Sequence, residues 1–99
     1  MHRGADMDEH VVSTIREYLV GHDAVQVAIF GSYARGEAGP GSDIDVLVEF
    51  GTKKSLFDVV EYELALGELV GRKIDLVTKP SLSPYFRDDV LSRMQVIYG

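Results

Sequence analysis

Asp43, Asp45 and Asp75 are the residues of this chain whose types and spacing could do chemistry. The first two belong to Ser42-Asp43-Ile44-Asp45-Val46-Leu47-Val48, a β-branched run that predicts a strand over 43–50. Residues i and i+2 of a strand share a face, so the two carboxylates project side by side, roughly 7 Å apart at Cα. Ile44, Val46 and Val48 face the other way. Leu47 continues the aspartate face, which predicts that this face becomes buried just beyond the acids. Carboxylates at the rim of an apolar surface repel each other and lose hydration, which a cation between them relieves. Hard oxygen ligands suit Mg²⁺ or Mn²⁺ better than zinc. Asp75 repeats the pattern in Lys73-Ile74-Asp75-Leu76-Val77. If its strand lies beside the other, three carboxylates could converge on a metal pair. Two ions ~3.5–4 Å apart activate an attacking oxygen and stabilise a leaving one in displacement at phosphorus. Asp75 is then the candidate to bind the attacking hydroxyl or accept its proton. Any of these acids taken alone reads more simply as a solvated strand edge.

The glycine-rich stretch before the acids bears on the choice. Gly31-Ser32 directly follows Val25 to Phe30, a short apolar run bounded by glycine that predicts a buried strand. A small residue there lets the backbone approach a phosphate, and Ser32 adds a hydroxyl and an N–H. A helical turn around Tyr33 to Arg35 would aim further free N–H groups at the same phosphate. An ordinary strand-to-helix turn remains the plainer reading of this segment alone. No G-x-x-x-x-G-K-[ST] is present, nor a G-x-G-x-x-G with a following acid, so neither a Walker A loop nor a dinucleotide fingerprint fits.

The elements that must position these residues are legible from periodicity. Val11, Ile15, Tyr18 and Leu19 predict an amphipathic helix from about Asp8 to Gly21. Ser55-x-x-Asp58 opens a second helix over 56–70, with Gly71 as its stop. Its apolar residues span an arc of roughly 240° at 100° per residue, more than one buried stripe requires. The surplus either packs under a terminal helix or meets a partner. Residues 73–78 form a third predicted strand, and Ser83-Pro84 open a helix to about Met94. Gln95 to Tyr98 closes as a short strand. The order implies an α/β (α+β) domain, a mixed β-sheet flanked by helices.

Composition bounds the rest. The chain has 99 residues, 45% hydrophobic and 26% charged, which suits one domain over 1–99 with a loose start over 1–5. With no cysteine, disulfides, Cys-ligated zinc and thiol catalysis are excluded, and a cytoplasmic address is expected. No apolar run is long enough to span a membrane. A net charge of −6 argues against extended nucleic-acid binding, but not against one phosphate-bearing ligand held through a divalent cation. His2, His10 and His22 lack metal-ligand spacing and read as surface residues. Lys53-Lys54 and Arg72-Lys73 read as solvated turn pairs, either of which could steer a triphosphate or a partner.

Taken together, Gly31-Ser32-Tyr33-Ala34-Arg35-Gly36, then Ser42-Asp43-Ile44-Asp45-Val46-Leu47-Val48, then Ile74-Asp75-Leu76 resembles the minimal nucleotidyltransferase (MNT) family of the DNA polymerase beta-like superfamily. The resemblance covers roughly residues 10 to 98, and the acidic triad shows no departure from the pattern. It implies a polymerase beta-like palm core with ATP as substrate and two Mg²⁺ ions. Asp43 and Asp45 would ligate the metals and the triphosphate, and Asp75 would complete the metal site and activate the acceptor. Gly31 and Ser32 would hold the triphosphate. Arg35 and Ser42 match further family positions, although Arg35 could instead pair with Glu37 and Ser42 could simply open the strand. The resemblance also implies a HEPN-domain toxin, a ribonuclease, as partner. The chain would then be an antitoxin that transfers AMP to a tyrosine of that toxin, alone or as part of a homo- or hetero-oligomer. A non-catalytic antitoxin that blocks its toxin sterically is the alternative. A D-x-D phosphohydrolase fits less well, because there the acids follow the apolar strand, whereas here Val46-Leu47-Val48 follows the acids.

Overall fold

The structure, a computed structural model, describes residues 8–31, 43–82 and 84–99, apart from the side chains of 86, 87, 89 and 92. Helix α1 (Glu9–Val20) begins where the Asp8 carboxylate accepts the backbone N–H groups of His10 and Val11. Strand β1 (Ala24–Phe30) and strand β2 (Ile44–Phe50) follow, then helix α2 (Leu56–Val70) and strand β3 (Ile74–Thr78). A 3₁₀ turn (Lys79–Ser81), helix α3 (Pro84–Arg93) and strand β4 (Gln95–Tyr98) complete the order. Among the described residues no helix is long and apolar enough to cross a membrane.

The strands make one mixed sheet in the order β3-β2-β1-β4, with β1 antiparallel to β2 and β4 and β2 parallel to β3. Alternation sorts its side chains into two layers. Ile44, Val46, Val48, Ile74, Leu76, Val27 and Ile29 point to one face, where Val11, Ile15, Leu19 and Leu66 bury them. Ala28 and Leu47 point to the other and pack with Leu82, Val90 and Leu91 beneath α3. The burial predicted for the aspartate face beyond the acids is therefore met at Leu47, 2% exposed. β3 is an edge strand, and Glu63 of α2 blunts it: its Oε2 accepts the Leu76 N–H at 2.7 Å.

Both ends of α2 follow local chemistry. Ser55 Oγ accepts the Asp58 N–H and the Asp58 carboxylate accepts the Ser55 N–H, each at 3.1 Å. Gly71 ends the helix at φ 72°, a conformation that favours glycine. Replacing Ser55 with Ala removes one half of the box. A loss of about 1 kcal/mol is expected, read as a lower urea midpoint with an unchanged slope. The predicted Ser83 cap lies outside the described residues.

The wide apolar arc of α2 divides. Leu66 is fully buried, and Val59, Tyr62 and Val70 pack partly against the core. Leu56, Phe57, Val60, Leu64 and Leu69 are exposed. Tyr62 meets an aromatic group that includes Tyr18, His22 and Phe50, with Tyr18 and His22 stacked at 4.3 Å between centroids. His22 is thus half-buried packing rather than the surface residue expected, and burial raises the Tyr18 hydroxyl above its ordinary pKa of 10.0. Lys54 is also no solvated turn residue. Its side chain is 18% exposed, 3.8 Å from Asp23 and 5.6 Å from the Phe50 ring centre.

Asp23 holds the start of β1 to the end of β2. It adopts φ 78°, and its Oδ2 accepts from the Thr52 N–H at 2.8 Å and the Thr52 hydroxyl at 2.7 Å. The hydroxyl hydrogen bond, above all, holds its carboxyl below the ordinary value of 3.8. A depressed folded-state pKa contributes stability above the unfolded value, which is lost as pH falls through the folded one. The melting temperature should therefore fall below about pH 4, and Asp23→Asn should flatten that part of the profile. Parallel acid profiles for both proteins would refute the linkage.

Candidate active site

Register brings Asp45 and Asp75 together at one end of the sheet. Ile44 lies opposite Ile74 and Asp45 opposite Asp75, so Asp45 and Asp75 occupy the same face of adjacent strands. Neighbouring strands run about 4.8 Å apart, which brings the two Cα atoms to roughly that separation. Phe30 flanks Asp45 on the other side, across the β1–β2 ladder. Beneath them lie Leu47 and Val77 of the same face. Removing water from below strengthens every charge interaction above.

Asp43 comes one step earlier, beside the start of β3. The backbone tie of the Ile44 N–H to the Lys73 carbonyl at 2.9 Å fixes that approach. The Lys73 ammonium stands 3.7 Å from Asp43 Oδ2, with side chains 76% and 46% exposed respectively. Such an exposed pair is worth at most about 1 kcal/mol and gives way readily to a stronger ligand. The sequence reads Lys73 as a solvated turn residue able to steer a triphosphate or a partner; its 76% exposure agrees, and what that reading misses is the contact with Asp43. Its signal was available once the strands are aligned, because Lys73-Ile74-Asp75 runs parallel to Asp43-Ile44-Asp45.

Gly31 closes the other side of the site. It sits at φ +73°, and a Cβ built on it would run into Asp45 Oδ2, with Asp45 Cγ only 3.2 Å away. Glycine is therefore favoured twice here, for backbone conformation and for the approach to the carboxylate. Ser32, Arg35 and Ser42, the other expected phosphate contacts, lie outside the described residues, as does the turn expected around Tyr33.

The donor chemistry of the three aspartates fits Mg²⁺, a hard cation that takes carboxylate oxygens and keeps part of its water shell. Among the described residues no three acidic or histidine side chains are drawn together as a ready metal-holding group. Asp45 and Asp75 adjoin, while Asp43 leans to Lys73.

Among the described residues, two of the clefts that border these elements lie toward opposite ends of β3. One of about 490 Å³ lies at the far ends of β2 and β3, lined by Phe50, Thr52, Lys54, Thr78 and Lys79. Two of its lysines are engaged, Lys54 with Asp23 and Lys79 with Glu49 at 3.3 Å. A shallower one of about 470 Å³ runs between α2 and the start of β3, past Leu64, Glu68 and Arg72 to Lys73. The second reaches the aspartate end and the first does not.

Comparison with known proteins follows the same residues. Residues 12–97 match the nucleotidyltransferase domain family. The protein adenylyltransferase MntA of Thermococcus cleftensis is 42% identical over 73 residues, 74% of this chain and 72% of that one. A solved chain provisionally named a minimal nucleotidyltransferase is 38% identical with a TM-score of 0.74, covering 84% of this chain and 85% of its own. A chain from the complex of the tri-AMPylated Shewanella oneidensis HEPN toxin with MNT antitoxin superposes with a TM-score of 0.78 over 94% of this chain and 73% of that one. At 22% identity that last likeness speaks for the fold alone.

Proposed function

The chain belongs to the nucleotidyltransferase domain family, and from that premise we propose that it transfers AMP from ATP, with Mg²⁺, to a tyrosine hydroxyl of a partner protein. The partner is a HEPN-domain toxin, and the transfer makes this chain its antitoxin, acting in the cytoplasm. The observation that carries the reading is the pairing of Asp45 with Asp75 on one face, beside a Gly31 at positive φ that lies close against the Asp45 carboxylate. The Thermococcus relative supports the choice of AMP and of a protein acceptor by its name. The modified Shewanella toxin supports the class of partner.

In this reading Asp43, Asp45 and Asp75 hold Mg²⁺, which when bound supplies Lewis acidity and offsets the charge of the triphosphate. Gly31 lets the backbone reach the triphosphate, with Ser32, Arg35 and Ser42 as further contacts. Asp75 orients the acceptor hydroxyl and takes its proton. The tyrosine oxygen forms a bond to the α-phosphorus, and the bond to the pyrophosphate oxygen breaks with the electron pair leaving on pyrophosphate. Asp75 suits the acceptor side because β3 is the sheet edge, whereas Asp45 lies inside the sheet against Gly31.

The test is incubation with ATP labelled at the α-phosphate, Mg²⁺ and the purified HEPN-domain protein of the same locus. Label is expected on a tyrosine of that protein and should vanish with EDTA. If the ribonuclease is silenced while no label enters it, steric antitoxin action replaces transfer.

A further inference from the structure

The outer face of α2 is apolar and acidic together. Leu56, Phe57, Val60 and Leu64 recur at helical spacing and are 77%, 86%, 42% and 66% exposed. Glu61 and Glu68 stand exposed along the same stripe. The helix holds four acids, Asp58, Glu61, Glu63 and Glu68, and no basic residue. Single exposed apolar residues need no explanation, but a row of this kind does.

From this face we infer that α2 is the docking surface for the acceptor protein, and that the acceptor presents an apolar helix flanked by Lys or Arg. The inference rests on the transfer reading above and adds where the partner sits. Charge selects the occupant. A second copy packed on the same stripe would bring Glu61 and Glu68 against their own equivalents, at a cost, in a chain of net charge −6. A basic-rimmed helix meets both the apolar row and the acids. A groove supplies the path from this face toward the site. The groove of about 470 Å³ leads from Leu64 past Glu68 to Lys73, whose ammonium faces Asp43. Asp75 faces the other side of the sheet from α2, so a partner on α2 reaches it around the start of the β3 edge, where this groove ends.

The test uses the full chain carrying Phe57→Lys with Leu64→Lys, and separately Glu61→Lys with Glu68→Lys, against the purified HEPN-domain protein of the same locus. Both pairs are surface changes, so the melting temperature and ATP binding should hold. Each pair should weaken the complex roughly thirtyfold or more in calorimetry, the loss typical of two central contact residues. Affinity of the unaltered chain should fall with salt, and that of the Glu-to-Lys pair should fall less. Normal complex formation and labelling by both variants would overturn the docking surface and leave the transfer reading standing. Absence of any complex or labelling with the unaltered chain would overturn both. A dimer of the unaltered chain that Phe57→Lys with Leu64→Lys dissociates, without effect on the partner, would assign the stripe to self-association instead.

Discussion

Asp43→Asn combined with Asp45→Asn is expected to lower AMP transfer by about 10³-fold or more, the scale seen when charged groups that act as a unit in a reaction are removed. The folded state should survive the change. Asn keeps the volume and some hydrogen bonding of Asp, and removing like charges from one rim relieves repulsion. What is lost is the Asp43–Lys73 contact, an exposed pair at 3.7 Å that contributes at most about 1 kcal/mol. The melting temperature should thus stay level or rise, while binding of Mn²⁺, followed by electron paramagnetic resonance, should weaken sharply. A double variant that transfers at the original rate would remove these residues from the mechanism. One that unfolds would reassign them to structure.

That prediction depends on geometry which the sequence supplied only in part. Alternation in Asp43-Ile44-Asp45 was enough to place two acids on one face and Leu47 beneath them. The ends of α2 were equally legible, because Ser55, Asp58 and Gly71 act within a few residues of themselves. Register was not legible. Nothing local says that Ile44 pairs with Ile74, yet that pairing brings Asp75 beside Asp45 and Lys73 beside Asp43. Long-range contacts also decided the fate of Lys54 and His22, which tertiary packing draws out of solvent. The 240°-scale arc of α2 could not be divided from sequence either, since burial of Leu66 and exposure of Phe57 follow from where α1 and β3 lie. Asp23 at positive φ is a further case: its reward comes from Thr52, far along the chain.

Gly31→Val should damage stability and transfer together, and the two losses have separate causes. A β-branched residue at φ +73° costs roughly 1–2 kcal/mol in the left-handed region. In a domain of this size that lowers the melting temperature by about 4–8 °C for each kcal/mol. The added Cβ would also press on the Asp45 carboxylate and move it from its place opposite Asp75. A displacement near 1 Å at a reacting centre is worth about 10²-fold in rate. Gly31→Ala carries the same Cβ with less backbone strain, so it should recover part of the stability and little of the transfer. Assays at a temperature where both variants are fully folded separate the causes. If the folded Ala variant transfers AMP normally, Gly31 serves the turn alone and Asp45 has more room than its approach to the glycine indicates.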